Sequence, residues 1–160
     1  MTYTYDWSDQ YATGIEIIDE QHRRLFGYLR DLDDAMKRHD EDGMGLMIRS
    51  LLEYAISHCA FEEGLMERGN YPCCEQHRHA HDLFRARAAS YVQRLEAGAE
   101  RYHLAREVRS EMAIWISGHI DGDDQDYVPW VQPAVQDRSL VRRMLDRIFS
   151  QRPGTDAPAG

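Results

Sequence analysis

MGLMIRSLLEYAISHCAFEEGLMER, residues 44–68, is the stretch on which the reading of the fold turns. Met47, Leu51, Tyr54, Ile56, Phe61 and Leu65 recur at near-helical spacing and predict one long helix, about Met44 to Arg68. Set into that run are His58 and Glu62, ~40° apart around a helix axis and ~6 Å apart along it. A histidine and a carboxylate sharing a helix face are either a solvated pair or part of a buried ligand set. The neighbouring segments bear on which.

Working outward, Asp19 is the expected N-cap of a preceding helix that runs to about Arg38, with Leu25, Leu29, Leu32 and Met36 on one side. Asp40-Glu41-Asp42-Gly43 breaks it. Residues 1–18 read as an extended arm in which Tyr3, Tyr5 and Trp7 alternate with polar residues. Gly69-Asn70-Tyr71-Pro72 ends the long helix, and Pro72 suits the first turn of a third, which ends near Ala97-Gly98. A fourth helix is expected from about Glu100 through Trp115 and Ile116 to about Gly122. The fold class is therefore all-α: an antiparallel up-down four-helix bundle, residues 1–127 with the arm. Residues 128–160 form a C-terminal extension, with a linker at Val128–Pro133, a short amphipathic helix at 137–150 and a disordered tail at 151–160.

Composition narrows the function classes. The chain has 160 residues, enough for one domain with a real core. It carries 19 basic and 28 acidic side chains, a net −9, which argues against a nucleic-acid or anionic-membrane partner. No apolar run approaches the ~18 residues of a membrane span, and Met1 to Trp7 lacks the features of a secretory signal. Cys59, Cys73 and Cys74 offer no disulfide framework and read as free thiols, so a cytoplasmic location is expected.

Histidines carry the chemistry. His22 falls on the first helix, His58 with Glu62 on the second, His77-x-x-x-His81 on the third and His119 on the fourth. One such pair is weak evidence. Two pairs on consecutive antiparallel helices, with further histidines on the other two, point to a metal, because unpartnered imidazoles and carboxylates inside a bundle are costly. Imidazole and carboxylate suit iron and would also accept zinc, copper or manganese. The carboxylate-rich di-iron oxidases are also four-helix bundles, but they use two Glu-x-x-His motifs; here Glu100-x-x-His103 stands alone at a helix start and reads as surface.

Trp7-x-x-x-Tyr11-x-x-Gly14-Ile15-x-x-Ile18-Asp19-x-Gln21-His22 and His58-x-x-Phe61-Glu62-Glu63-x-x-Met66 resemble the hemerythrin family, in particular its bacterial single-domain members. So do Tyr71-Pro72, His77-x-x-x-His81 and Trp115-x-x-x-His119-Ile120-x-x-x-Asp124-x-x-Tyr127, and the likeness spans about residues 5 to 127. The resemblance implies two non-haem irons per chain, oxo- or hydroxo-bridged. One would be held by His77, His81 and His119, the other by His22 and His58, with Glu62 and Asp124 bridging. Five histidines, two bridging carboxylates and the oxo bridge fill eleven of the twelve positions of two six-coordinate irons. The vacant position, on the iron with two histidines, is where the family binds O2. Leu25, Trp115, Ile116 and Ile120 would surround it as a dry pocket, and the same spacing also suits ordinary core residues.

Periodicity and resemblance part at Asp124. It lies five residues after His119, ~140° around a regular helix, whereas Asp123 at four residues fits better. The choice of Asp124 requires a π-type turn or local unwinding. Cys59, where the family usually has phenylalanine, reads as a small buried residue with a redox role as the alternative. Glu63 is expected to turn away from Glu62 into solvent, and His39, His79 and His103 read as surface. Tyr11 and Tyr127 are candidates to hydrogen-bond near the metal.

Three functions are compatible with these residues. The first is an O2 carrier, store or scavenger that turns over no substrate. The second is an O2 or redox sensor or delivery module acting through a partner, and the third a di-iron enzyme with peroxidase, oxidase or nitric-oxide-handling activity. The helix at 137–150 either packs on the bundle or docks a protein partner or second copy.

Overall fold

The computed structural model describes residues 6–150. The arm residues Tyr3 and Tyr5 and the expected disordered tail lie outside them. All regular structure among the described residues is helical, with α1 Glu16–Lys37, α2 Glu41–Arg68, α3 Cys74–Glu96, α4 Arg101–Gly118, α5 Asp124–Gln136 and α6 Arg138–Phe149. A five-residue π-turn, His119–Asp123, joins α4 to α5. α1 packs on α2 and α4, α2 on α3, and α3 on α4, which is the expected up-down bundle. No helix among the described residues is long and apolar enough to cross a membrane.

Local chemistry sets the helix ends. At the close of α1, α2 and α3 the chain turns through a left-handed residue, His39 (φ 53°), Asn70 (φ 53°) and Gly98 (φ 81°). In each case the next residue's N–H reaches back to a carbonyl of the last turn: Asp40 to Ala35, Tyr71 to Met66 and Ala99 to Arg94. These are Schellman closures that satisfy otherwise orphaned carbonyls. Asp40, expected as part of a breaker, instead caps α2 by accepting from the Gly43 N–H at 2.9 Å, so that helix starts at Glu41.

The arm is shorter than expected, because α1 begins at Glu16 and Asp9–Tyr11 form a 3-10 turn. Asp19 is not the N-cap. It sits inside the first turn, buried, and accepts from the Thr13 N–H (2.8 Å), the Thr13 hydroxyl (2.7 Å) and the Gly14 N–H (3.2 Å). One carboxylate thereby ties the arm to the helix, and Gly14 supplies the positive φ (79°) that the turn requires.

Val128–Pro133, expected as a linker, is helical within α5. Pro129 and Pro133 stand four apart on the exposed side, where the carbonyls they leave free can meet water, while Tyr127 and Val131 face inward and are buried. The expected last helix is present as α6, and its apolar side packs on α2 and α5.

The apolar interior is in two parts. The larger joins Leu25, Leu29, Leu32, Ile48, Leu51, Leu104, Val108, Ile116 and Ile120 through the middle of the bundle. The smaller gathers Ile15, Ile18, Phe61, Leu65 and Met66 with Tyr127, Val131 and Met144 from the C-terminal region. On α1 His22 lies between Ile18 of one cluster and Leu25 of the other, and on α2 Glu62 is followed by Leu65 of the smaller. The candidate ligands therefore form a polar layer between two apolar masses.

Candidate metal centre

His22, His58, Glu62, His81 and Asp124 have no more than traces of exposed surface, and His77 and His119 are also buried. Two groups form. Glu62, His77, His81 and His119 present donor atoms within 4.8 Å of one another, and so do His22, His58, Glu62 and Asp124. All seven residues singled out from the sequence are thus brought into one layer.

The two carboxylates each face both groups. Glu62 Oε1 lies 3.1 Å from His58 Nε2 and 3.7 Å from His22 Nε2. Its Oε2 lies 3.2, 3.4 and 3.8 Å from Nε2 of His119, His81 and His77. Asp124 directs Oδ2 at His22 Nε2 (3.1 Å) and Oδ1 at His119 (3.1 Å) and His77 (3.5 Å).

These approaches are not ordinary hydrogen bonds throughout. Both Asp124 oxygens, His22 Nε2 and His58 Nε2 are buried and without a hydrogen-bond partner. Nε2 of His81 lies 3.1 Å from that of His77 and 3.3 Å from that of His119. Lone pairs converging between buried side chains are costly unless a cation sits among them, so the donor set fits a metal.

The π-turn explains how Asp124 enters this layer. The Asp124 N–H bonds to the His119 carbonyl, five residues back, and the extra residue rotates Asp124 inward. Asp123 is left 56% exposed, with Oδ2 at 3.6 Å from His119 Nδ1.

The electrostatics follow from this crowding. Burial by itself would push the Glu62 carboxyl up, but His58, His119 and His22 hold it well below the usual carboxylate range. Burial would lower His119, yet Asp124, Asp123 and Glu62 outweigh it and hold the imidazole well above its ordinary value. His22 is raised in the same way by Asp124 and Glu62, whereas burial keeps His58 low. Burial, with Asp124 and Glu62 nearby, pushes the Tyr127 phenol well up, so it stays protonated and donates to Glu62 Oε1 at 2.5 Å.

Around this layer lie residues that sequence reasoning missed or misplaced. Gln21 Oε1 accepts from His58 Nδ1 at 2.8 Å, and Gln21 is itself buried. Its place beside His22 in the motif was the available signal. Glu63, expected in solvent, accepts from His81 Nδ1 at 2.8 Å and pairs with Arg85 at 2.8 Å, because α3 brings both against it. Tyr11 packs on Trp7 and Phe26 instead of reaching the ligands, and Trp7 lies over His22 with ring centroids 6.5 Å apart.

Leu25, Ile116 and Ile120 are fully buried in the large cluster. Trp115 stacks between Phe84 (4.0 Å) and His119 (4.7 Å) in the α3–α4 seam. Cys59 is buried, and burial drives its thiol well up, which disfavours the thiolate. Glu100 caps α4 through the Tyr102 and His103 N–H groups, and His39, His79 and His103 are exposed.

Residues 13–131 match the family model described as the hemerythrin HHE cation binding domain. Over 150 residues the chain is 38% identical to a Bacteriohemerythrin of Stenotrophomonas maltophilia, which covers 89% of this chain and 96% of that relative. Over the same length it is 34% identical to a Bacteriohemerythrin of Pseudomonas aeruginosa, with the same coverage. The crystal structure of wild-type hemerythrin superposes with a TM-score of 0.68 at 25% identity, covering 82% of this chain and 97% of that one.

Proposed function

The chain belongs to the hemerythrin family, and from that premise we propose that it binds O2 reversibly at a non-haem di-iron centre, as a carrier, store or scavenger. His77, His81 and His119 would hold one iron, His22 and His58 the other, with Glu62 and Asp124 shared. Iron there supplies the one-electron chemistry that lets O2 attach and leave without consuming a substrate.

The observation that carries the reading is the division of each carboxylate. Glu62 and Asp124 each turn one oxygen toward the two-histidine side and one toward the three-histidine side. That is the disposition two adjacent cations require, and a single cation does not.

The remaining residues have separable tasks. Gln21 and Glu63 accept from Nδ1 of His58 and His81, which leaves Nε2 of each free to coordinate. Tyr127 holds a proton at its hydroxyl and fixes Glu62. The apolar clusters on either side exclude water, as does the Trp7 ring over His22. We assign O2 to the two-histidine side, where fewer imidazoles converge, near Leu25, Ile116 and Ile120; Trp115, expected in the same pocket, instead stacks on His119 of the three-histidine side.

Purified protein should carry two irons per chain. Anaerobic reduction followed by air should give a visible spectrum that reverses when O2 is removed. Rapid one-way oxidation would favour an enzyme or redox sensor, and protein without iron after metal-replete expression would overturn the reading.

A further inference from the structure

The groups accepting from the far side of the imidazoles are unequal in charge. On the three-histidine side, the carboxylate of Glu63 accepts from His81 Nδ1 at 2.8 Å, and Asp123 stands 3.6 Å from His119 Nδ1. On the two-histidine side, His58 Nδ1 meets the neutral amide of Gln21, and His22 Nδ1 has no partner among the described residues. A carboxylate acceptor makes an imidazole a stronger donor to a metal and favours the higher oxidation state; an amide does so less. We propose that Glu63, acting through His81, makes the three-histidine iron the more easily oxidised of the pair, while Gln21 leaves the two-histidine iron the harder to oxidise.

Arg85 tempers this effect and sharpens its test. Its guanidinium pairs with the Glu63 oxygen that faces His81, at 2.8 Å, and Arg78 approaches the other oxygen at 3.9 Å. Both cations draw charge away from the imidazole. Removing Glu63's charge and removing Arg85's charge should therefore act in opposite directions.

The inference rests on the di-iron reading. The reaction to follow is a one-electron oxidation by ferricyanide: one ferrous ion becomes ferric and ferricyanide becomes ferrocyanide. The Nδ1 proton stays in the His81–Glu63 hydrogen bond, so no proton is transferred.

The experiment is a ferricyanide titration of the iron-loaded, anaerobically reduced full chain, with EPR of the half-oxidised form. Glu63→Gln, which preserves the hydrogen bond and removes the charge, should require about a tenfold higher ferricyanide-to-ferrocyanide ratio for the first step, equivalent to about 59 mV. Arg85→Gln should lower the required ratio. Gln21→Glu should ease the second step and alter the half-oxidised EPR signal. A merely structural Glu63 would move the two side-chain variants in the same direction or leave the first step where it is, and either result overturns the proposal. If Glu63→Gln fails to hold iron, the sign of the Arg85→Gln shift decides. Wild-type protein without iron would refute the di-iron reading instead, so the two failures are distinguishable.

Discussion

Tyr127 and Glu62, separated by 65 residues and both fully buried, are joined by a 2.5 Å hydrogen bond in which the phenol donates to Oε1. The bond links α5 to α2 at the edge of the candidate centre and satisfies a lone pair of a carboxylate held ionised in the interior.

Tyr127→Phe removes that donor without changing the packing volume. The expected cost is about 1–3 kcal/mol of stability in the metal-free protein, together with about a 10–100-fold loss of iron affinity. Urea unfolding and competition with a chelator measure the two separately. A variant equal to wild type in both would show that Glu62 does not depend on the phenol.

Asp124→Ala should lower bound iron by about half or more, because both oxygens of the side chain face histidines. Asp123→Ala should keep the metal, since this carboxylate is 56% exposed and meets only the far side of His119. Iron analysis of the two purified variants checks the assignment, and the reverse pattern would sink it.

Metal uptake should release protons and tighten as pH rises. Asp124, Asp123 and Glu62 overcome burial to hold the metal-free His119 above its ordinary value of 6.5, and coordination must displace that proton. The same shift stabilises the metal-free fold fully below about pH 6.5, and this contribution is lost as pH climbs through the raised native value. Glu62 acts in the opposite sense: its contribution is present above its ordinary 4.5 and lost as pH falls through the depressed native value. Calorimetric zinc titrations in two buffers of different ionisation enthalpy report the protons released. Identical heats in both buffers would contradict the shift.

Gly69→Ala tests whether α5 is seated firmly on α2. Gly69 has an ordinary φ of −80°, so the substitution carries no backbone strain. An added Cβ would collide with the Trp130 carbonyl of α5. A loss of about 1–3 kcal/mol in thermal or urea unfolding is expected. An unchanged midpoint would mean that α5 can shift at little cost.

Much of this was legible in one dimension. The bundle follows from apolar spacing, and the shared faces of His58 with Glu62 and of His77 with His81 follow from helical periodicity, whereas the full set of five histidines with Glu62 was what the hemerythrin resemblance implied. The π-turn was implied only once the resemblance had chosen Asp124 over the better-spaced Asp123, since the five-residue step from His119 cannot bring both inward on a regular helix. Val128–Pro133 was not legible in this way. Two prolines signal a break to any local reading, and only the burial of Tyr127 and Val131 against α2 makes the helix worth forming.

The His58–Glu62 face that opened the reading belongs to both kinds of knowledge. Sequence determined that the two residues point the same way and sit in an apolar run. Tertiary structure decided what meets them: Gln21 behind His58, Tyr127 on Glu62, and Glu63 turned onto His81 and Arg85 instead of into water. The smaller cluster that closes the layer is likewise assembled from both ends of the described chain, Ile15 to Met144. The physical reason is range. Periodicity assigns a face within one helix, whereas a hydrogen bond or a buried contact is settled by which other helix is packed within a few ångströms of it.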